Sequence, residues 1–266
     1  VLFFTNRGKV YRLRGYEIPE APRASKGRAS INLLPLIENE KVTAILPIPD
    51  ERENHAFLLM ATKKGLIKKT SVTEFQRIMT SGKIAITLVD DDELISVDVT
   101  SGKDEVILAS SGGKCIRFDE SNIRKTGRTA MGVRSMRIDD SETIVDMAVL
   151  KPGFDLITVS ELGYGKRSDT DAYRLQGRAG KGIKAGNFSD ETGKLIALKQ
   201  TGEENDIIII SDTGIMIRIR VSDISKIGRS TKGVRLMRLR DGGKVAAVAL
   251  TPHDENAEFS EVIEEE

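Results

Sequence analysis

The chain has 266 residues, 41 Lys and Arg against 40 Asp and Glu, one cysteine, two histidines and no tryptophan. A lone cysteine excludes an intrachain disulfide, and two histidines with one cysteine exclude a Cys/His metal cluster. The sequence has no signal peptide, membrane-spanning run or lipidation motif, so the expected compartment is the cytoplasm and no membrane partner is expected.

The near-zero net charge conceals an uneven distribution. Seven of the 40 acids fall between Asp254 and Glu266, a stretch without Lys or Arg, and the other 33 acids face 41 bases, so the body carries +8. A basic body with an acidic tail suggests a polyanionic partner and a tail that competes for the same surface. A solvated tail that aids solubility is the plainer alternative.

In chain order, short apolar runs open each of five repeats: Leu2-Phe3-Phe4, Phe57-Leu58-Leu59-Met60, Val106-Ile107-Leu108, Leu156-Ile157-Thr158-Val159 and Ile207-Ile208-Ile209-Ile210. Runs of this length, rich in β-branched residues and bounded by Ser, Asn, Asp and Gly, read as strands. Turns bearing Gly8, Gly65, Gly113, Gly163 and Gly214 follow, and Gly supplies the positive φ they need. The first run begins at Val1, as it would in a chain cut within a structural unit.

A second strand follows each turn, with a base four residues after the glycine: Arg12, Lys69, Arg117, Arg167 and Arg218. In the first, third and fifth repeats its neighbours are apolar, and a period of two then turns the base outward. Cys115, in the third of these strands, reads as a small core residue.

The second landmark is a basic, glycine-rich loop. The first repeat has Arg23-Ala24-Ser25-Lys26-Gly27 with Arg28 beyond it, and the third has Arg128-Thr129-Ala130-Met131-Gly132. The fourth has Arg178-Ala179-Gly180-Lys181-Gly182 and the fifth Arg229-Ser230-Thr231-Lys232-Gly233. The second is degenerate, with Ile78 in place of the Arg and Gly82 and Lys83 retained. Arg134, Lys184 and Arg235 extend the basic run past the glycine. Another apolar pattern follows each loop, such as Ile31-Asn32-Leu33-Leu34. An acidic turn such as Asp90-Asp91-Asp92-Glu93 and a closing strand complete each repeat. These acids could hold a cation, although polar turns of this kind are more often simply solvated.

The expected architecture is all-β: a propeller-like body of four-stranded blades, with repeats at about 1–50, 56–101, 105–151, 155–201 and 206–251 in one domain over 1–253, and a tail over 254–266. No repeat has enough apolar surface to stand alone, so neighbours must bury each other's faces. Ringed repeats would display a basic band apart from an acidic one.

Catalytic patterns are absent. His55 and His253 belong to no triad motif, and the glycine-rich loops lack the G-K-[ST] ending of a phosphate-binding loop. What the loops offer is charge plus backbone N–H groups that can approach a phosphate closely. Aromatic content of 5% argues against base stacking, and no recognition helix is present to read the major groove. The expected partner is therefore double-stranded DNA, contacted along its backbone at the bases named above.

These residues resemble the C-terminal domain of the DNA gyrase A subunit, a type IIA topoisomerase, from Val1 to about Leu250. Val1-Leu2-Phe3-Phe4-Thr5-Asn6-Arg7-Gly8-Lys9-Val10-Tyr11, Lys26-Gly27 and Asn32-Leu33-Leu34 look like that family's second blade. Glu161-Leu162-Gly163-Tyr164-Gly165-Lys166-Arg167 looks like its fifth blade, and Gly228-Arg229 with Lys232-Gly233-Val234-Arg235-Leu236 like its sixth. The resemblance implies a six-bladed β-pinwheel whose blades exchange strands and whose rim wraps duplex DNA, giving negative supercoiling. It implies assembly with the rest of the A subunit and the B subunit, two of each. No cofactor is expected in this chain, ATP and magnesium serving the whole enzyme.

The family's Q-R-R-G-G-K-G type box lies in a first blade that this sequence lacks. Gln176-Gly177-Arg178-Ala179-Gly180-Lys181-Gly182 matches five of its seven letters in a later blade. The matching domain of topoisomerase IV has fewer or more degenerate blades, and five regular repeats favour gyrase. A propeller-type protein-interaction scaffold is the reading from another class.

Overall fold

The computed structural model describes residues 1–20, 29–48, 56–240 and 242–253. The first-repeat loop bases Arg23, Lys26 and Arg28 and the acidic tail lie outside the described residues.

Each repeat opens on a hairpin: β1 (Leu2–Thr5) with β2 (Lys9–Arg12), β4 (Phe57–Thr62) with β5 (Leu66–Ser71), β8 (Glu105–Ser110) with β9 (Lys114–Asp119), β12 (Asp155–Ser160) with β13 (Tyr164–Asp169), and β16 (Asn205–Ser211) with β17 (Met216–Arg220). The closing strands are β3 (Val42–Leu46), β7 (Leu94–Thr100), β11 (Ile144–Leu150), β15 (Leu195–Thr201) and β19 (Val245–Pro252). Between loop and acidic turn lie two-residue strands: β6 (Lys83–Ile84), β10 (Val133–Arg134), β14 (Ile183–Lys184) and β18 (Val234–Arg235). In the first repeat the corresponding segment is a 3-10 turn, Ser30–Asn32, instead of a strand.

The four strands of one repeat do not all belong to one sheet. β6 pairs with β2, β10 with β5, β14 with β9 and β18 with β13, so each short strand completes the sheet of the preceding repeat. Four sheets are thereby four-stranded, and the fifth, β17-β16-β19, has three strands. This exchange is what the family resemblance implied.

The loop glycine shows why the exchange needs this sequence. Gly132, Gly182 and Gly233 all have φ above +70°. A Cβ on them would stand 2.5–2.6 Å from the carbonyls of Ile67, Cys115 and Gly165, each in the preceding blade. Only glycine meets both the backbone conformation and the closeness of the neighbouring strand.

The second, third and fourth blades bury both faces, which explains their unbroken apolar runs. In β4, Leu58 and Met60 pack with Leu2, Phe4 and Val10 of the first repeat, while Leu59 and Ala61 pack with Val106, Leu108 and Phe118 of the third. Ile107 and Cys115 meet Leu156 and Tyr173 at the next boundary, and Ile157 and Val159 meet Ile207 and Ile209 at the last. Cys115 is thus a core residue, its thiol pushed up to about 12 by burial. The closing strands pack in succession, β3 on β7, β7 on β11, β11 on β15 and β15 on β19. They occupy one edge of each sheet, and the exchanged strands occupy the opposite edge. The basic loops that lead into the exchanged strands therefore follow the perimeter.

Candidate nucleic-acid interface

The bases read from the sequence separate into two sets. The strand bases are expected to face outward as a shared basic surface; the structure leaves Arg12 exposed and corrects that expectation for Lys69, Arg117, Arg167 and Arg218. Lys69 is buried, its Nζ donating to the Glu120 carbonyl at 3.0 Å and standing 3.9 Å from the Glu120 carboxylate. Arg167 is buried between Asp155 at 3.6 Å and Glu203 at 2.7 Å. Arg117 is half-buried, with Nε donating to Glu105 at 2.6 Å and Nη1 donating to the carbonyls of Thr170 and Tyr173. Arg218 donates to Asp206 at 2.6 Å, which also lies 2.9 Å from His253. Arg12 is exposed, yet its guanidinium reaches the carbonyl of Gln76.

The common theme is the boundary between blades. The main-chain carbonyls of Lys69, Arg117 and Arg167 accept bonds from the N–H groups of Thr126, Gln176 and Ile227, each in the following repeat. A period of two turns a residue outward only when one sheet face meets water. In the second, third and fourth repeats the outward face meets the next blade, so the base is taken out of water there, while Arg218 in the fifth is held within its own repeat by Asp206.

The loop arginines are ties in the opposite direction. Arg128 donates to the carbonyl of Ile84 at 2.9 Å. Arg178 donates to Asn122 at 3.1 Å and to Arg134, and Arg229 to Ala172 at 3.0 Å and to Lys184, all through main-chain carbonyls of the preceding repeat. Consecutive loop regions are also joined directly: Thr87 N–H donates to Ala130, Arg137 to Gly180, Ala179 to Ser135 and Asn187 to Thr231. The result is a hydrogen-bonded track that runs from the second repeat to the fifth.

The uncommitted charge lies on this track. Arg134, Lys181 and Lys184 are exposed, Lys83 is half-exposed, and none of the four has an ion pair among the described residues. Lys181 and Lys184 line a cavity of about 400 Å³ with Lys114 and Arg229. Arg77, beside the degenerate second-repeat loop, is exposed too, and further exposed bases without a sequence expectation lie on the same segments: Arg124, Lys125, Arg137, Arg174 and Arg238. Their signal was available, since Arg137 and Arg238 each stand five residues beyond a loop glycine.

The fifth-repeat loop differs. Lys232 pairs with Glu191 at 2.8 Å, a bond that raises the lysine and lowers the carboxyl from their ordinary values. Arg235 stacks on the Tyr164 ring at 4.7 Å and donates to its hydroxyl at 2.6 Å. The expected separation of basic and acidic bands therefore fails here. Glu191 stands in the fourth acidic turn where the third has Ser141, so Lys232 has an acid within reach, whereas Lys181, at the same place in its own loop, has no ion pair among the described residues. In the second repeat Asp92 accepts from the N–H groups of Lys64 and Glu93, which makes it a turn-forming residue. No helix among the described residues is long and apolar enough to cross a membrane.

The model for the DNA gyrase C-terminal domain, described as a β-propeller, matches residues 1–49, 56–101, 104–151, 155–201 and 205–252. The gyrase A subunit of Staphylococcus epidermidis is 40% identical over 96% of this chain, and that of Staphylococcus aureus 40% identical over 98%. The chain spans about three tenths of the length of these relatives. A solved DNA gyrase A C-terminal domain superposes with a TM-score of 0.80 at 26% identity, covering 93% of this chain and 80% of that one. A topoisomerase IV C-terminal domain superposes with a TM-score of 0.86 at 22% identity, covering 94% and 78%, a likeness of fold.

Proposed function

The chain belongs to the DNA gyrase C-terminal domain family, and from that premise we propose that its perimeter binds duplex DNA through the phosphate backbone and bends it. The observation that carries this reading is the track of loops bonded edge to edge, with Arg134, Lys181 and Lys184 exposed along it. Phosphates are recognised by charge and by N–H donors without regard to sequence. A duplex that follows a curved perimeter must bend, at a cost of roughly 1–6 kcal/mol for a short site. Contacts at several loops offset that cost.

The same reading assigns the chain to the cytoplasm and to an assembly with the remainder of the gyrase A subunit and the B subunit. There, wrapping would direct strand passage toward negative supercoils, and ATP and magnesium would serve other parts of the enzyme.

The test is a mobility-shift titration with unrelated duplexes of equal length across salt concentrations. Equal affinity for all sequences is expected, with a log–log salt slope of about −0.9 for each phosphate neutralised. Ligation of nicked circles in the presence of the chain should then trap a linking-number change of one sign. Binding confined to one sequence, or no binding to duplex at low salt, contradicts the proposal.

A further inference from the structure

Lys68 and Lys166 belong to neither set of bases. They occupy equivalent places in β5 and β13, one residue ahead of the strand bases Lys69 and Arg167, and each is 1% exposed. Neither has an acidic partner within ion-pair distance among the described residues. Their partners are main-chain carbonyls of the next repeat's loop. Lys68 Nζ donates to Arg128, to Ala130 at 3.3 Å and, in its own repeat, to Ala85 at 2.5 Å. Lys166 Nζ donates to Arg229, to Thr231 at 2.7 Å and to Gly228 at 3.3 Å. An ammonium has three protons, and each of these ammonium groups has three carbonyl acceptors.

The fourth-repeat loop provides an internal contrast. The residue beneath it, at the place of Lys68 and Lys166, is Ile116. That loop takes its shape by other means: Ala179 has φ +65°, and a Cβ on Gly180 would lie 3.5 Å from Ile116 Cδ1. The loops above the lysines have Thr129-Ala130 and Ser230-Thr231 in its place, none of them at positive φ. Converging carbonyls repel one another unless a donor lies between them. The lysine supplies that donor where the loop lacks the left-handed residue.

We propose that Lys68 and Lys166 are positioning residues whose ammonium groups hold the loops at 128–132 and 229–233 in the shape that carries their bases at the perimeter. The fourth-repeat loop holds itself. The consequence for DNA rests on the function proposed above, whereas the consequence for loop shape does not.

The experiment is amide hydrogen exchange on the chain carrying Lys68→Met or Lys166→Met, substitutions that keep length and remove the donor. In Lys68→Met, exchange at 128–132 should quicken by about tenfold, the scale of an unsatisfied buried polar group. Exchange at 178–182 and 229–233 should not change. Lys166→Met should act in the same way on 229–233 alone. Unchanged exchange in the matching loop, or an equal rise in all three, overturns the proposal.

A measurement on the unaltered chain covers the case in which a variant fails to fold. Under native reductive methylation, Lys181 and Lys184 should react while Lys68 and Lys166 stay unmodified. Equal labelling of all four overturns the proposal. Duplex affinity of the two variants supplies a separate arm. Opened loops with weakened binding support both readings. Opened loops with unaltered binding support the positioning role and overturn the DNA-binding role of these loops.

Discussion

Lys69 and Lys181 are the same residue with opposite surroundings. Lys69 sits at a blade boundary against Glu120, whose side chain is fully buried and also accepts from Thr100 Oγ1 and the Asp104 N–H. Lys181 stands on the perimeter without an ion pair among the described residues. A charge taken out of water must be satisfied by the protein, so the boundary bases are committed to holding blades together. A charge left in water remains available to a ligand. The recurrence of a base in every repeat thus has two physical origins, and position in the sheet decides between them.

Removing a base of each kind should separate the two roles. Lys69→Met leaves the Glu120 carboxylate buried without its cation and should cost about 3 kcal/mol of stability in urea unfolding. Duplex affinity per folded molecule should be unchanged; a pure binding defect at full stability would merge the two sets. Replacing Lys181 and Lys184 together by Ala should alter stability by less than about 0.5 kcal/mol. It should weaken binding to every duplex alike and make the log–log salt slope shallower by about 2.

The fifth-repeat loop sharpens the comparison, because its lysine is exposed yet engaged. Glu191→Gln should release Lys232 and tighten duplex binding a few-fold at low salt, with the gain vanishing as salt rises. Weaker or unchanged binding would place Lys232 outside the contact surface.

The smallest expected effect is a slope with pH. Burial and the Arg128 guanidinium push Lys68 down to about 8, against the small opposing pull of Glu74. Burial and Arg229 do the same to Lys166, with Cys115 opposing. Between about pH 8 and the ordinary lysine value the unfolded chain holds protons that the folded chain has released. The contribution of both groups to stability therefore rises with pH through that window. Comparing urea unfolding of the unaltered chain and the Lys→Met variants from pH 7 to 10.5 isolates this rise. A difference curve of the opposite sign would contradict the burial of these ammonium groups.

Much of the fold was legible because local chemistry repeats. The turn glycines, the apolar runs and the closing strands mark the repeats without reference to anything distant. The loop bases Arg134, Lys181 and Lys184 were legible for the same reason, since a polar loop exposed on a sheet edge keeps its charges in water.

The sequence by itself determined five β repeats, their punctuation and the family to which they belong, because strand period and turn chemistry act over a few residues. Only the tertiary structure decided which bases are buried, which sheet each short strand completes and which loop lysine is taken by an acid. Lys69 meets Glu120, Arg178 meets Arg134 and Lys232 meets Glu191 across repeat boundaries, and no local pattern records such a pairing. The physical reason is that a blade flanked on both sides has no free face: each surface that would be solvent in an isolated repeat is the packing surface of its neighbour.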